Sequence, residues 1–204
     1  MTTPAGGWPR VRNWRAALLD FSSRTDEELA AEACREGSDG PAFRCLLERY
    51  RQKVWQICYR LMGHSEDAND AAQEVFVRLF LNRARFEGRS KYSTWVHGVA
   101  LRTCLGFRRS RSRRRRHETV VDAPPDNRSA TQPSENKDLK LDLLQILGTL
   151  DEEDRAMLIL KHAEGYSYDE LAEMFELSSS ACKMRLSRAR DKLRKQFPNQ
   201  LGDI

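Results

Sequence analysis

Apolar residues recur at intervals of three and four in the patterned segments of this chain, and this spacing restricts those segments to helices. The longest case begins at Phe43 and continues through Leu46, Tyr50 and Val54 to Leu61, so that one face stays apolar for five turns. No segment alternates apolar and polar residues with the period of two that indicates a half-buried strand. The sequence therefore predicts an all-α fold.

The segment from Tyr166 to Leu193 has the pattern of a helix-turn-helix. Ser167 and Glu170 form a capping box, which predicts a helix that begins at Tyr168. A second helix is predicted after a short turn, with an apolar face made of Cys182, Leu186, Ala189 and Leu193. Its other faces carry mostly cations, and a basic helix of this kind fits the major groove of DNA. A solvated basic helix in an ordinary bundle has the same pattern, so both interpretations stay open.

Changes in composition divide the chain into five parts. Residues 1–24 are an extension with little periodicity, and residues 25–117 hold the first set of helical patterns. Residues 118–137 contain three prolines and almost no large apolar residues, which is typical of a linker. Residues 138–197 resume the helical pattern, and residues 198–204 form a tail. We therefore predict two small helical domains joined by a flexible linker, the second a four-helix domain that contains the helix-turn-helix.

The net charge of +5 conceals an uneven distribution of charge. Residues 88–117 contain no Asp or Glu but include the run Arg113–Arg116, whereas acidic residues cluster at 66–74 and 151–154. A basic segment of this kind indicates a polyanionic partner, and an acidic segment suits a basic one. A solvated tail is the alternative interpretation of the arginine run.

Aromatic residues immediately precede the arginine run. Phe86, Tyr92 and Trp95 come before Arg108 and Arg109, and this combination is what single-stranded nucleic acid requires. Bases stack on aromatic rings while cations neutralise the phosphates. Trp95 can equally be a core residue at the start of a helix, and one ring can serve both purposes.

Enzymatic, metal and membrane functions find little support in the sequence. It lacks a glycine-rich phosphate loop, an H-E-x-x-H motif and a G-x-S-x-G motif, so no catalytic site and no cofactor are expected. His97 and Cys104 would need two further closely spaced ligands to hold a metal, so no metal site is expected. Five scattered cysteines suit a reducing compartment. No apolar run approaches the roughly 20 residues that span a bilayer, so we expect a cytoplasmic protein without membrane insertion.

Four segments, taken in this order, carry a resemblance to a known family. They are GSDGPAFRCLLERY, SEDANDAAQEVFVRLF, RFEGRSKYSTWVHGVALR and LLQILGTLDEEDRAMLILKHAEGYSYDELAEMFELSSSACKMRLSRARDKLR. The chain resembles the extracytoplasmic-function (ECF) sigma factors, the two-domain initiation subunits of bacterial RNA polymerase, over about residues 26–197.

The resemblance implies a role for each half of the chain. The helix matching residues 66–80 would dock on the clamp helices of the polymerase β′ subunit, and the expected contacts are Asp67, Asp70, Gln73 and Glu74. The loop and helix matching residues 86–109 would open the minus-ten promoter element and hold its non-template strand. The expected contacts there are Phe86, Tyr92, Trp95, Arg102, Arg108 and Arg109.

The second half would bind the minus-thirty-five element as duplex and rest on the polymerase β flap. The expected DNA contacts are Ser179, Ser180, Lys183, Met184, Arg185, Ser187 and Arg188, where Arg185 can serve phosphates or intramolecular pairs. The linker would run through the polymerase toward its active site. Members of this family are often held inactive by an anti-sigma factor, which makes such a protein a further expected partner.

Three positions depart from the pattern of the family. Arg102 stands where an Asn usually ends the minus-ten helix, and Arg favours guanine or phosphate where Asn favours adenine. Glu176 replaces the usual Gly of the turn and must avoid or tolerate a positive φ. Ala181 removes a hydroxyl that could bind phosphate, although Ser179 and Ser180 can replace it.

The sequence thus favours a non-enzymatic sigma factor that binds core RNA polymerase, recognises the two promoter elements and melts the minus-ten element. The alternative is a stand-alone helix-turn-helix regulator of transcription, which would not need the acidic helix or the aromatic residues of the first half. A protein that binds or modifies RNA is the third hypothesis, and it rests only on the arginine run.

Overall fold

The computed structural model describes residues 21, 23–36, 40–118 and 146–198, and none of these residues is in a strand. Seven α-helices have defined bounds: α1 (Asp26–Arg35), α2 (Pro41–Met62), α3 (Ser65–Leu81), α4 (Tyr92–Glu118), α5 (Glu152–Ala163), α6 (Tyr168–Phe175) and α7 (Ser179–Gln196). A 3₁₀ turn at Arg83–Arg85 follows α3, and residues 146–148 are also helical. The prediction of an all-α fold is confirmed. The predicted extension, linker and tail lie almost wholly outside the described residues.

The ends of the helices follow local sequence signals in most places. Thr25 and Glu28 form a capping box at the start of α1. Gly63 ends α2 with a φ of 83°, which glycine adopts without steric cost. The sequence predicts Ser65 as the N-cap of α3, which is wrong by one residue, because His64 is the N-cap and Ser65 is already helical.

Helix α4 begins earlier than the sequence predicted. The sequence predicts a loop over residues 86–93, but the helix starts at Tyr92. The Tyr92 backbone N–H donates a hydrogen bond of 3.0 Å to Oε1 of Glu27 on α1. A carboxylate 65 residues away thus satisfies one of the free N–H groups of the first turn, a cap that local sequence patterns do not reveal. The helix then continues through the arginine run to Glu118.

The first four helices bury a common apolar core. Helix α2 packs against α1, α3 and α4, and its predicted apolar face is buried at Leu46, Val54 and Ile57. Leu29 of α1 and Val75 of α3 are fully buried as well. This arrangement leaves the outer face of α3 and residues 111–114 of α4 at the surface.

The second half packs α5 against both helices of the helix-turn-helix. Met157 on α5, Leu171 on α6 and Leu186 on α7 are fully buried there. Helix α4 also packs directly against α6, and the buried residues of both halves belong to one apolar cluster. The two halves therefore contact each other extensively, which the division of the sequence into two parts did not indicate.

Side chains cap both helices of the helix-turn-helix, and the cap of the first is the predicted capping box. Ser167 and Glu170 form the capping box of α6, and Ser178 caps α7 by accepting a hydrogen bond from the Ala181 N–H. Between the two helices, Glu176 adopts φ 57° and ψ 43°, the left-handed conformation that its position in the turn requires. Among the described residues it is the only one other than glycine with a positive φ. The turn therefore keeps the geometry that suits glycine despite the larger residue.

Replacing Glu176 by Gly is expected to stabilise the protein by about 1 kcal/mol, because glycine adopts the left-handed conformation without steric cost. For a chain of this size, that gain corresponds to a rise of about 2–4 °C in the thermal midpoint. Glu176→Ala is the matched control, since it removes the same side chain but keeps the strain. Equal midpoints for the two variants in calorimetry would contradict the assignment of strain to this residue.

A buried polar pair joins α4 to the loop before α6. The Tyr166 hydroxyl lies 2.6 Å from Nδ1 of His97, and both side chains are buried. Burial, followed by the nearby charge of Lys53, lowers the pKa of His97 to about 4. The imidazole is therefore neutral at pH 7 in the folded protein.

The depressed pKa of His97 predicts an acid-sensitive contribution to stability. Because the unfolded pKa is about 6.5, this contribution is complete above that pH and is lost as the pH falls toward about 4. The total loss is about 3 kcal/mol, from roughly 2.5 pH units at 1.36 kcal/mol each. Urea unfolding of His97→Gln across this range should show a shallower pH dependence than the wild type. Gln73→Asn, an exposed substitution that changes no titratable group, should keep the pH dependence of the wild type. Parallel curves for wild type and His97→Gln would exclude this role.

Candidate polymerase and nucleic-acid interfaces

The acidic residues predicted to bind polymerase all lie on α3. Asp70 and Gln73 are exposed, and Glu74 forms an ion pair of 2.7 Å with Arg78, one turn further along the helix. Asp67 instead forms an ion pair with Arg111 of α4. The structure thus brings the four predicted residues together on one helix. One of them, Asp67, is already paired with Arg111 in the arginine-rich part of α4.

The same helix presents apolar side chains that the charge pattern did not single out. Val77 is 51% exposed and Leu81 is 69% exposed, although both are large aliphatic residues. Gln73, Val77 and Leu81 follow one another at intervals of four, so the two apolar residues extend the face of Gln73 toward the end of α3. Exposed apolar residues beside charged ones are common in protein-binding surfaces.

The predicted aromatic residues form one cluster at the start of α4. The ring centroids of Phe86 lie 5.0 Å from Tyr92 and 5.7 Å from Trp95, and those of Tyr92 and Trp95 lie 5.5 Å apart. Tyr92 is only 3% exposed and also contacts Tyr50, and burial raises the pKa of its hydroxyl. Tyr92 therefore supports the cluster from the core, while the half-buried Phe86 and Trp95 retain accessible surface.

The predicted arginines of α4 contact the second half of the chain. The guanidinium of Arg102 lies 3.4 Å from the Met174 carbonyl oxygen and 3.6 Å from Oε1 of Glu176. Arg108 forms an ion pair with Glu152, and Arg109 forms one with Glu153, both at the start of α5. Each of these three side chains therefore has a polar partner in the second half of the chain.

The recognition helix α7 has one exposed face with the predicted DNA contacts. Ser180, Lys183, Met184, Ser187 and Arg188 are exposed at positions that share this face. Met184 is 54% exposed, so an apolar group stands among polar ones. Two residues differ from the rest of the predicted set: Ser179 is half-buried, and Arg185 turns toward α5, where its Nη1 lies 3.0 Å from Oε2 of Glu153.

The two residues weighed as metal ligands have other partners. His97 pairs with Tyr166, and a hydrogen bond with Cys58, together with burial, raises the pKa of the Cys104 thiol. Within residues 21, 23–36, 40–118 and 146–198, no group of three or more His, Cys, Asp or Glu side chains is arranged to hold a metal ion. None of the helices formed by these residues is long and apolar enough to cross a membrane.

Comparison with known families gives two matches. Residues 46–114 match Sigma-70 region 2, and residues 140–193 match Sigma-70 region 4. The first match contains most of α2 together with α3 and most of α4, and the second contains α5, α6 and most of α7. Both predicted sets of DNA-contacting residues therefore fall within segments of recognised sigma-factor type.

Individual proteins agree with the family matches. RNA polymerase sigma factor YlaC of Bacillus subtilis is 31% identical over 161 residues, covering 74% of this chain and 90% of that protein. ECF RNA polymerase sigma factor SigW of the same organism is 27% identical over 173 residues, covering 78% of this chain and 90% of that protein.

Solved structures share the fold. CnrH, solved in complex with the cytosolic domain of CnrY, matches with a TM-score of 0.58 at 23% identity over 85% of this chain and 97% of that chain. RpoE, solved with the anti-sigma factor NepR from Bartonella quintana, matches with the same score and identity over 77% of this chain and 97% of that chain. Sequence and fold therefore agree, and the chain belongs to the ECF sigma factors of bacterial RNA polymerase.

Proposed function

We propose that this sigma factor binds core RNA polymerase through α3 and directs it to promoters with a minus-thirty-five and a minus-ten element. The exposed Asp70 and Gln73, together with Glu74 and Asp67, would contact the basic clamp helices of the β′ subunit. A carboxylate-rich face repels DNA but attracts a basic protein surface, so charge supports a polymerase contact here. The chain would supply specificity without any catalytic residue of its own, and it would act in the cytoplasm, where its polymerase works.

The aromatic cluster carries the proposal for the minus-ten element. Phe86 and Trp95 have accessible ring surface, and Arg108 and Arg109 follow on the same helix. Each unpaired base that stacks on an aromatic ring gains roughly 1–3 kcal/mol, which offsets the few kcal/mol needed to extrude a base from the duplex. The presence of accessible rings at the start of α4 and of cations further along the same helix is the observation that most favours strand opening over simple duplex binding.

Helix α7 carries the proposal for the minus-thirty-five element. Its exposed face combines Lys183 and Arg188, which can contact phosphate or guanine, with the hydroxyls of Ser180 and Ser187. Met184 adds an apolar group that can contact the methyl of thymine. Because Arg185 is engaged with α5, we assign it a positioning role rather than a base contact.

We further propose that residues 25–117 and 138–197 act as separate units once bound to polymerase, with residues 118–137 as the connection and the second unit resting on the β flap. An anti-sigma factor is a further expected partner, because two sigma factors of this fold, CnrH and RpoE, have been solved with CnrY and NepR. The contact between α4 and α6 would have to open for the two units to reach two separated promoter elements.

Run-off transcription with purified core polymerase tests the proposed function. Adding the chain should produce promoter-dependent transcripts from a genomic template library, and the start sites should share two conserved elements upstream. Binding of the chain to DNA without any polymerase-dependent transcript would instead support a stand-alone helix-turn-helix regulator.

A further inference from the structure

Helix α4 continues well beyond the core of the chain. Among the residues of α4 whose burial the structure describes, Leu105 is the last buried one, yet the helix extends to Glu118. Residues 111–114, which make about one turn, are all exposed. A helical segment that buries no apolar surface gains little stability from the fold. Its side chains are therefore available to a partner outside the chain.

The end of α4 carries more positive charge than the chain itself compensates. Arg111 pairs with Asp67, whereas Arg113 and Arg114 form no ion pair within the part of the chain that the structure describes. Arg113 also lies four residues after Arg109, and Arg114 lies three residues after Arg111. Like charges at these spacings weaken a helix, and a bound anion relieves their repulsion. The charge of this segment therefore favours a polyanionic partner over solvent alone.

Arg113 shares one face of α4 with residues already proposed to bind the minus-ten element. Trp95, Arg102 and Arg109 follow one another at intervals of seven, and Arg113 comes one turn after Arg109. At 3.6 residues per turn, the four side chains leave the helix within about 40° of one another, whereas Arg114 leaves it about 100° away from Trp95. The three arginines of this face are exposed, and Trp95 is half-buried. One side of the helix thus presents an aromatic ring followed by a line of cations.

This face is long enough to reach from an unpaired base into duplex DNA. The 18 residues from Trp95 to Arg113 span about 27 Å, which corresponds to roughly eight base pairs at 3.4 Å each. A ring that stacks on an unpaired base marks the end of the opened segment. A cation about 27 Å further along the helix therefore lies beside paired DNA.

We propose that Arg113 binds backbone phosphates of the duplex upstream of the minus-ten element, in the spacer between the two promoter elements. This proposal rests on the proposed function, because the stacking of Trp95 fixes where the duplex begins. The upstream side is favoured because the end of α4 leads into the connection to the unit proposed for the minus-thirty-five element. The guanidinium presents forked donors that match phosphate oxygens, and such contacts carry no sequence information. Binding here depends on the length of the spacer duplex and not on its bases.

Holoenzyme assembled from the full chain and core polymerase tests this site with two DNA forks made from one mapped promoter. Both forks keep the minus-ten element single-stranded, and neither carries a minus-thirty-five element. Their upstream duplexes have about 15 and about three base pairs, on either side of the roughly eight that α4 can span. Arg113→Gln should weaken binding to the long fork by about three- to fivefold, and lower the slope of log affinity against log salt by about 0.9. On the short fork it should bind as the wild type does.

The matched control is Arg114→Gln, which removes the same charge from the neighbouring exposed position on another side of the helix. It should bind both forks with the affinity of the wild type. Equal affinities of Arg113→Gln and Arg114→Gln for the long fork would overturn the proposal. A loss of the same size on both forks would overturn it as well, because the contact would then not involve the spacer duplex. Failure of the wild-type holoenzyme to bind either fork would refute the proposed function itself.

Discussion

The variant D70K/E74K is expected to lose binding to core RNA polymerase, with affinity reduced by at least about a hundredfold. Both positions lie on the outer face of α3, and reversal places two cations opposite a basic partner. Like charges across an interface cost several kcal/mol, and each 1.4 kcal/mol is a factor of ten in the dissociation constant. Co-migration with core polymerase in size-exclusion chromatography and a direct binding titration would measure the loss.

The control for this variant is E32K/E48K, which makes the same change in net charge on α1 and α2. The E74K change also places a cation one turn away from Arg78, a repulsion that weakens the helix by only about 0.5 kcal/mol, so circular dichroism should show an unchanged helix content. Undiminished polymerase binding by D70K/E74K would exclude α3 as the docking helix.

Trp95→Ala is expected to impair opening of the minus-ten element by about 10- to 100-fold while polymerase binding is retained. The ring of Trp95 borders Phe86 and Tyr92, and its removal deletes the accessible part of a stacking surface worth roughly 1–3 kcal/mol per base. Permanganate reactivity of unpaired thymines in the promoter complex measures strand opening directly.

Trp95→Phe provides the matched control, because phenylalanine keeps an aromatic face in the same position. It should restore most of the opening, and both variants should bind polymerase as the wild type does. If Trp95→Ala opened the promoter normally, the ring would be assigned to the core alone, which is the other interpretation of its sequence position.

Features that depend on local spacing could be predicted from the sequence. The apolar face of α2 and the capping box of α6 follow from residues within a few positions of each other, whereas the sequence left open whether Glu176 avoids or adopts a positive φ. The positions of the predicted polymerase contacts on one helix follow in the same way, because residues three and four apart share a face.

Features that depend on the packing of distant segments could not be predicted. Glu27 caps α4 from 65 residues away, and Glu164 pairs with Lys53 from 111 residues away. Arg185 has the sequence position of a DNA contact, yet the placement of α5 turns it toward Glu153. Because a charged residue presents the same pattern whether it meets a phosphate or a carboxylate, only the tertiary structure distinguishes the two partners.

Under the proposed function, in which α3 binds polymerase and the arginines of α4 bind DNA, the ion pair between Asp67 and Arg111 connects the two binding events. A basic surface that engages Asp67 would liberate Arg111, and DNA that captures Arg111 would leave Asp67 available. By thermodynamic reciprocity, whatever factor docking adds to DNA affinity is the factor by which DNA strengthens docking. Such cooperativity would favour joint assembly on a promoter over either encounter alone.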